Sequence, residues 1–285
     1  MCEFCKKHGE GKIWYKNASN YSQDLLSDLN RRKYIEQFLS VTIGEGFKSL
    51  LRLEALLQKR GRLPEQIINR MVENSKIEHF GQVIPIEDVK EIVNKSSSIV
   101  RLPCACRWTI DKSDLRCCYG ITYHPDSWIK HLDMSYFGKP PTDLLESLNR
   151  EEALRQMEEI EHKGAIHTIW TFVTPFIGAI CNCTVKYCIA MRTHTGIQVE
   201  TMFRGEYVAR VDKDVCTGCS LCLESCQFQA IDSFYEGGRY LALIDAYKCF
   251  GCGLCRNACD AGAITLIPRA NKEWIVDGVK YHGHF

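Results

Sequence analysis

The chain has 285 residues, with 36 Lys and Arg against 35 Asp and Glu for a formal net charge of +1, which argues for neither a nucleic-acid partner nor an anionic membrane. Its length allows two domains and a sizeable core. Seventeen cysteines behind a charged start, Met1 to Lys7, imply thiol or metal chemistry in a reducing cytoplasm, which suits an anaerobic or microaerobic cell, not a disulfide framework in a secreted chain.

In chain order, Cys2, Cys5 and His8 bring three soft ligands together. A fourth from elsewhere could complete a zinc or cluster site, and unpaired thiols at a frayed end remain the alternative. From Ser22 the apolar positions Leu25, Leu26, Leu29, Ile35, Phe38 and Leu39 recur near a period of 3.6 and predict an amphipathic helix. A second helix is expected over Phe47 to Lys59, stopped by Gly61. The Gly44-Glu45-Gly46 stretch before it reads as a linker turn, since a phosphate loop would need a third glycine or a Lys-Ser/Thr. A third helix is expected from Pro64 to about Phe80. A fourth covers Ile86 to Asn94, with Glu87 and Asp88 set against the helix dipole. No basic recognition helix stands out among them.

Seven cysteines follow: Cys104, Cys106, Cys117, Cys118, Cys181, Cys183 and Cys188. Two C-x-C pairs and a C-C pair gathered by folding could hold a third cluster, because four cysteines are the usual [4Fe-4S] ligand set. Buried inert thiols and redox-active disulfides such as Cys117-Cys118 are the alternatives. So many thiols without a metal would be an oxidation liability, which favours metal. Arg107 would offset the charge of an all-thiolate site. Tyr119 to Phe137, with His124 and His131, reads as packing around that site, and Pro140-Pro141 as a connecting turn. Asn149 predicts an N-cap for a helix through Lys163, closed by Gly164. His162, His167 and His194 could replace a thiolate or relay a proton, but each reads better as an ordinary hydrogen-bonded histidine. Ile166 to Met191 is the most apolar segment, yet Pro175, Lys186 and three cysteines interrupt it, so a membrane span is not expected.

Next come two quartets, Cys216, Cys219, Cys222, Cys226 and Cys249, Cys252, Cys255, Cys259. Each reads C-x2-C-x2-C-x3-C, and Cys249 lies 33 residues after Cys216 (249 − 216). Val211-Asp212 matches Ile244-Asp245 at the same offset, and Ala230-Ile231 matches Ala263-Ile264, the mark of a duplicated unit. Structural zinc uses separated C-x2-C pairs instead. The stretch resembles bacterial-type ferredoxins with two [4Fe-4S] clusters. That resemblance implies one cluster on Cys216, Cys219, Cys222 and Cys259, and the other on Cys249, Cys252, Cys255 and Cys226. Gln227 and Asp260 stand where that family carries proline, so backbone N–H groups that proline lacks are present beside the sulfurs.

From about residue 100 to 267, the C-x-C-R, C-C and I-C-N-C groups ahead of a dicluster ferredoxin resemble poorly characterised 4Fe-4S-binding proteins of anaerobic bacteria and archaea. This implies iron–sulfur binding and electron transfer without naming a substrate. Beyond Ile267, Trp274, Tyr281, His282, His284 and Phe285 form an aromatic tail that could wrap back or dock.

The expectation is an α+β protein with a helical N-terminal region (1–100), a cysteine-rich middle module (101–205), a dicluster ferredoxin domain (206–268) and a tail (269–285). Its leading function is single-electron transfer, low-potential by family resemblance, between redox partner proteins. The competing reading is an oxidoreductase whose middle-module cluster or dithiol reduces a bound substrate. A redox-sensing regulator ranks last.

Overall fold

A computed structural model describes residues 13–125, 128, 131–138 and 143–269, with the backbone of a short pairing between Ile275–Val276 and Val279–Lys280. Cys2, Cys5 and His8, the Pro140-Pro141 turn, and Trp274, Tyr281, His282, His284 and Phe285 lie outside the described residues. Helices and sheets mix in an α+β fold, and no helix among the described residues is long and apolar enough to cross a membrane.

Ser22 caps a single turn, Gln23–Leu26, and Asp28 then restarts the chain as helix Leu29–Gln37 by accepting the Arg31 N–H at 3.0 Å. A π turn over Phe38–Thr42 joins this helix directly to Ile43–Arg60, which Gly61 ends at φ +70°. The linker turn expected at Gly44-Glu45-Gly46 is therefore wrong, because both glycines lie in the first turns of a helix. The glycines are poor helix formers. Their cost is offset because Leu50, Leu53, Leu56 and Leu57 pack against Leu63, Ile197 and Val199. Pro64 caps the next helix, Glu65–Glu78. Ile86–Lys95 forms as expected, but Asp88 does more than face a dipole: it is buried, accepts the Tyr15 hydroxyl at 2.6 Å and pairs with Lys16 at 2.7 Å. Arg150–His162 carries a full capping box, with the Glu152 N–H on the Asn149 side chain at 2.8 Å and the Asn149 N–H on the Glu152 carboxylate at 3.2 Å.

The region expected to be helical, 1–100, also supplies β1 (Gly81–Val83) and the start of β2 (Ser98–Leu102). The strands that follow are β3 (Cys118–Thr122), β4 (Glu146–Leu148), β5 (Ile166–Thr171), β6 (Ile177–Cys183) and β7 (Met202–Phe203). Together they form a seven-stranded sheet among the described residues, in the order β4-β2-β3-β6-β5-β1-β7, antiparallel except for the β1–β7 pair. Side chains alternate across it. Ile169, Ile180, Tyr119 and Ile121 share a core with helices Ile86–Lys95 and Arg150–His162, while Trp170, Ala179, Cys181 and Cys183 fall in the other core. That second core also takes in the Leu29–Gln37 helix, the π turn, and Trp128, Met134 and Phe137 of the aromatic segment.

The remaining strands are β8 (Tyr207–Val211), β9 (Ile231–Glu236), β10 (Arg239–Ile244) and β11 (Ile264–Pro268), paired β8 with β11 and β9 with β10. Their hydrogen bonds repeat at the offset read from the sequence. The Asp212 N–H meets Ala263 O at 2.7 Å and the Asp245 N–H meets Ala230 O at 2.8 Å; Cys216 N–H bonds Asp212 O and Cys249 N–H bonds Asp245 O. A pseudo-two-fold unit results, with one cysteine loop and one short helix per half, Leu221–Ser225 and Leu254–Asn257. Arg269 locks onto it, donating to the carbonyls of Gly205, Tyr207, Ala246 and Cys249 at 2.7–3.0 Å.

Candidate metal centres

The fifteen described cysteines are free thiols. In the C-terminal unit they separate into two small pockets. Cys216, Cys219, Cys222 and Cys259 line one, and Cys226, Cys249, Cys252 and Cys255 line the other. Each pocket thus draws three thiols from one quartet and the fourth from its partner. Backbone N–H groups approach three of these sulfurs: Ala230 to Cys226 and Ala263 to Cys259, both at 3.3 Å, and Ala209 to Cys249 at 3.5 Å. Burial pushes the Cys252 thiol up to about 12 and raises Cys222, Cys226 and Cys255 as well. Thiols that resist ionising in a buried pocket, yet receive N–H donors, fit a site whose negative charge is balanced by bound iron.

The loops that hold these thiols depend on glycine. Gly218 and Gly251, again 33 apart (251 − 218), sit at φ +75° and +70°, and a Cβ on either would collide with a backbone carbonyl, Tyr240 O or Tyr207 O.

The middle cysteines also converge. The ligand atoms of Cys104, Cys117 and Cys118 lie within 4.8 Å of one another. Cys104 is the hub, with its thiol in contact with those of Cys106, Cys117, Cys118 and Cys183. Strand register brings in the remainder: Cys118 pairs with Cys181 across β3 and β6, and the two sulfurs are 3.7 Å apart. Cys188 touches Cys183. All seven cysteines foreseen between residues 104 and 188 therefore form one connected group.

Charge is shared unevenly within it. Contact with neighbouring thiols holds Cys104 well below the ordinary cysteine range, and contact with Cys183, aided by the Met191 and Ala190 N–H groups, lowers Cys188. Cys106, Cys117, Cys118 and Cys183 are pushed up, because they donate to a neighbouring thiolate and are buried. Burial opposes charge on Arg107, but its position against the Cys183, Cys117 and Cys104 sulfurs outweighs that and favours the charged guanidinium. Its face rests 4.0 Å from the Tyr187 ring centroid. A cation set against a buried thiol group fits an anionic metal centre.

His162, His167 and His194 have partners other than these thiols. His162 binds Glu158 O, His194 packs edge-on against Phe250, and His167 bonds Asn182 on the opposite face of the sheet.

Two features were not foreseen. Gln227, next to Cys226, ties the C-terminal unit to the middle module: the Val185 N–H donates to its Oε1 at 2.8 Å, and its Nε2 donates to Gly164 O. Val185 lies between Cys183 and Cys188. Phe228 and Phe250 stack beside this bridge at 4.0 Å and share a core with Cys183 and Cys188, and Arg256 pairs with Glu87 at 2.7 Å. The missing proline was the available signal, but it bears on the side chain more than on the backbone N–H.

The other feature is a cavity of about 500 Å³ opening onto Cys104, Cys106, Cys118, Cys181, Cys183 and Cys188. Its aromatic wall includes His79, stacked on Trp170 with centroids 4.7 Å apart and planes 14° apart. Burial lowers His79 to about 4, although a 2.6 Å bond from Nδ1 to Thr171 O opposes the shift. A histidine held neutral in the fold contributes its full stability above pH 6.5 and loses it as pH falls toward 4. Replacing His79 with Gln should therefore flatten the fall in stability between pH 6.5 and 4, measured by urea unfolding of parent and variant at matched pH.

Residues 215–263 match the family model described as a 4Fe-4S dicluster domain. No curated protein matches the chain. The C-terminal region is thus similar to a ferredoxin-like 4Fe-4S domain, and this similarity together with the cysteine content supports an iron–sulfur electron-transfer role.

Proposed function

We propose that the chain passes single low-potential electrons through two [4Fe-4S] clusters held by residues 206–268, to or from a third iron–sulfur centre held by cysteines among Cys104, Cys106, Cys117, Cys118, Cys181, Cys183 and Cys188. The observation that carries this reading is the bridge at Gln227, which seats Cys226 of one quartet against the Cys183–Cys188 segment. The clusters supply the one-electron chemistry, while the chain supplies ligands, N–H donors to sulfur and exclusion of water. On the far side, Cys219 is exposed beside Val215, Leu221 and Tyr240, which are exposed as well, an apolar surface suited to a redox partner protein. Labile clusters and reduced thiols suit the cytoplasm of an anaerobic cell.

The test is anaerobic iron and sulfide content, with EPR of the reduced protein. Three four-iron clusters give about twelve irons per chain, whereas about eight would sink the third centre. Gln227→Ala should keep the full iron content and cost about 1–3 kcal/mol, for two lost hydrogen bonds. It should also slow electron exchange between the ferredoxin domain and the middle centre, followed by stopped-flow spectroscopy after partial reduction.

The cavity favours a second reading, an oxidoreductase whose middle centre acts on a molecule bound beside it and is fed by the ferredoxin domain. A solvent-accessible space facing six thiols is more than a relay needs.

A further inference from the structure

The cavity has a chemical character of its own. At about 500 Å³ it lies in the range of small-molecule sites, and six cysteines are among its lining residues. Elsewhere the wall is built of ring faces, with Phe38 and Phe172 edge to face at 4.8 Å and His79 laid on Trp170. Such surfaces take planar conjugated rings by offset or edge-on stacking. Among the described residues the charged side chains lining the space are Glu45 and Glu78, with no Lys or Arg. A carboxylate or phosphate would enter without a counter-charge and pay its desolvation unaided.

His79 sets a polar requirement. The Thr171 carbonyl can only accept, so Nδ1 carries the proton and Nε2 presents a lone pair. His79 lines the space, so an O–H or N–H on a ligand is the group that would complement this lone pair. A second observation bears on the same space. Phe38, Leu39 and Thr42 of the π turn line it, and so does Gly46, with no atom within 4 Å of where a Cβ would stand. Alanine would fit there and favour the helix, so glycine at this point keeps space open at a cost in helix stability.

We propose that this cavity binds a neutral planar ring compound bearing a hydroxyl or amine, with the ring along the His79–Trp170 wall, the donor on His79 Nε2 and the far edge toward the thiols. The inference deepens the oxidoreductase reading and rests on it for the meaning of the thiols, though not for binding itself.

The test is calorimetric titration of the anaerobically purified full chain with three probes: 2-naphthol, 2-methoxynaphthalene, which lacks the donor, and 2-naphthoate, which adds a negative charge. The expected result is 2-naphthol binding at least tenfold tighter than either. Gly46→Phe, filling the space from an open helix position that lines it, should weaken 2-naphthol at least tenfold with iron content unchanged, and His79→Phe should abolish the preference over 2-methoxynaphthalene. Equal binding of the three probes, tighter binding of naphthoate, or indifference to Gly46→Phe overturns the proposal. Should Gly46→Phe fail to fold, Ser49→Phe on the same helix blocks the same space and is held to the same result. About eight irons per chain with the naphthol preference intact would sink the third centre and leave the ring site standing. About twelve irons with no preference would do the reverse.

Discussion

Replacing Cys104 and Cys117 together with serine is expected to remove about four irons per chain and leave about eight, the complement of two remaining four-iron clusters. Cys104 is the choice because it touches four other thiols, and Cys117 because it completes the tight trio with Cys118. Serine preserves size but is a poor soft ligand, so loss of iron reports ligation and not collapse of a cavity. The EPR signal of the reduced protein should simplify, while the absorbance of the ferredoxin clusters persists. The Cys181→Ser, Cys183→Ser double variant is the companion, since those thiols reach the trio only through Cys118 and Cys104. Unchanged iron in it would remove both from the ligand set. Unchanged iron in the Cys104, Cys117 variant would remove the third centre altogether.

Gly251→Ala is expected to be the most damaging single change in the ferredoxin domain, and clearly worse than Gly218→Ala. Both positions have left-handed backbone, which costs a residue with a side chain about 1–2 kcal/mol. The difference lies in what the new methyl meets. At Gly218 it is Tyr240 O, on the β9–β10 hairpin whose Tyr235 and Tyr240 are exposed, so the strand can shift. At Gly251 it is Tyr207 O, which lies on β8 against β11 and is clamped by Arg269 at 2.7 Å. That carbonyl cannot retreat without breaking the Arg269 cradle, whose other arms hold Gly205, Ala246 and Cys249. A cost of about 3 kcal/mol or more follows for Gly251→Ala, with partial loss of cluster iron. Gly218→Ala should cost more than the backbone strain of about 1–2 kcal/mol, since the Tyr240 carbonyl must move, but less than Gly251→Ala and with iron retained. Anaerobic thermal melts read together with iron content separate the two; equal effects would show that the Arg269 clamp does not hold the carbonyl in place.

Several helices were legible because their signals are short-range. Asn149 and Glu152 lie three residues apart and made the capping box that their types imply, and Gly61 ended its helix as a left-handed glycine should. The turn expected at Gly44-Glu45-Gly46 failed for the opposite reason. Local propensity favours a break there, but the leucine stripe packing on Leu63, Ile197 and Val199 keeps the segment helical, and the π turn absorbs the mismatch upstream. β1 was missed because three residues carry too little periodicity to announce a strand, and its pairing with β5 spans more than eighty positions.

The amino-acid sequence alone determined the two quartets, their duplication at 33 residues and the ferredoxin-like unit around them, because cysteine spacing within one loop is a local property of the chain. It also placed seven further cysteines in one stretch without saying which could meet. Tertiary structure decided that. The β3–β6 register sets Cys118 opposite Cys181, and alternation across the sheet puts Cys181 and Cys183 on one face, Cys183 against Cys104, while His167 and Asn182 face the other way. The same long-range packing decided the Gln227 bridge and the cavity behind His79, since each is made by residues far apart in sequence that only the folded chain brings together.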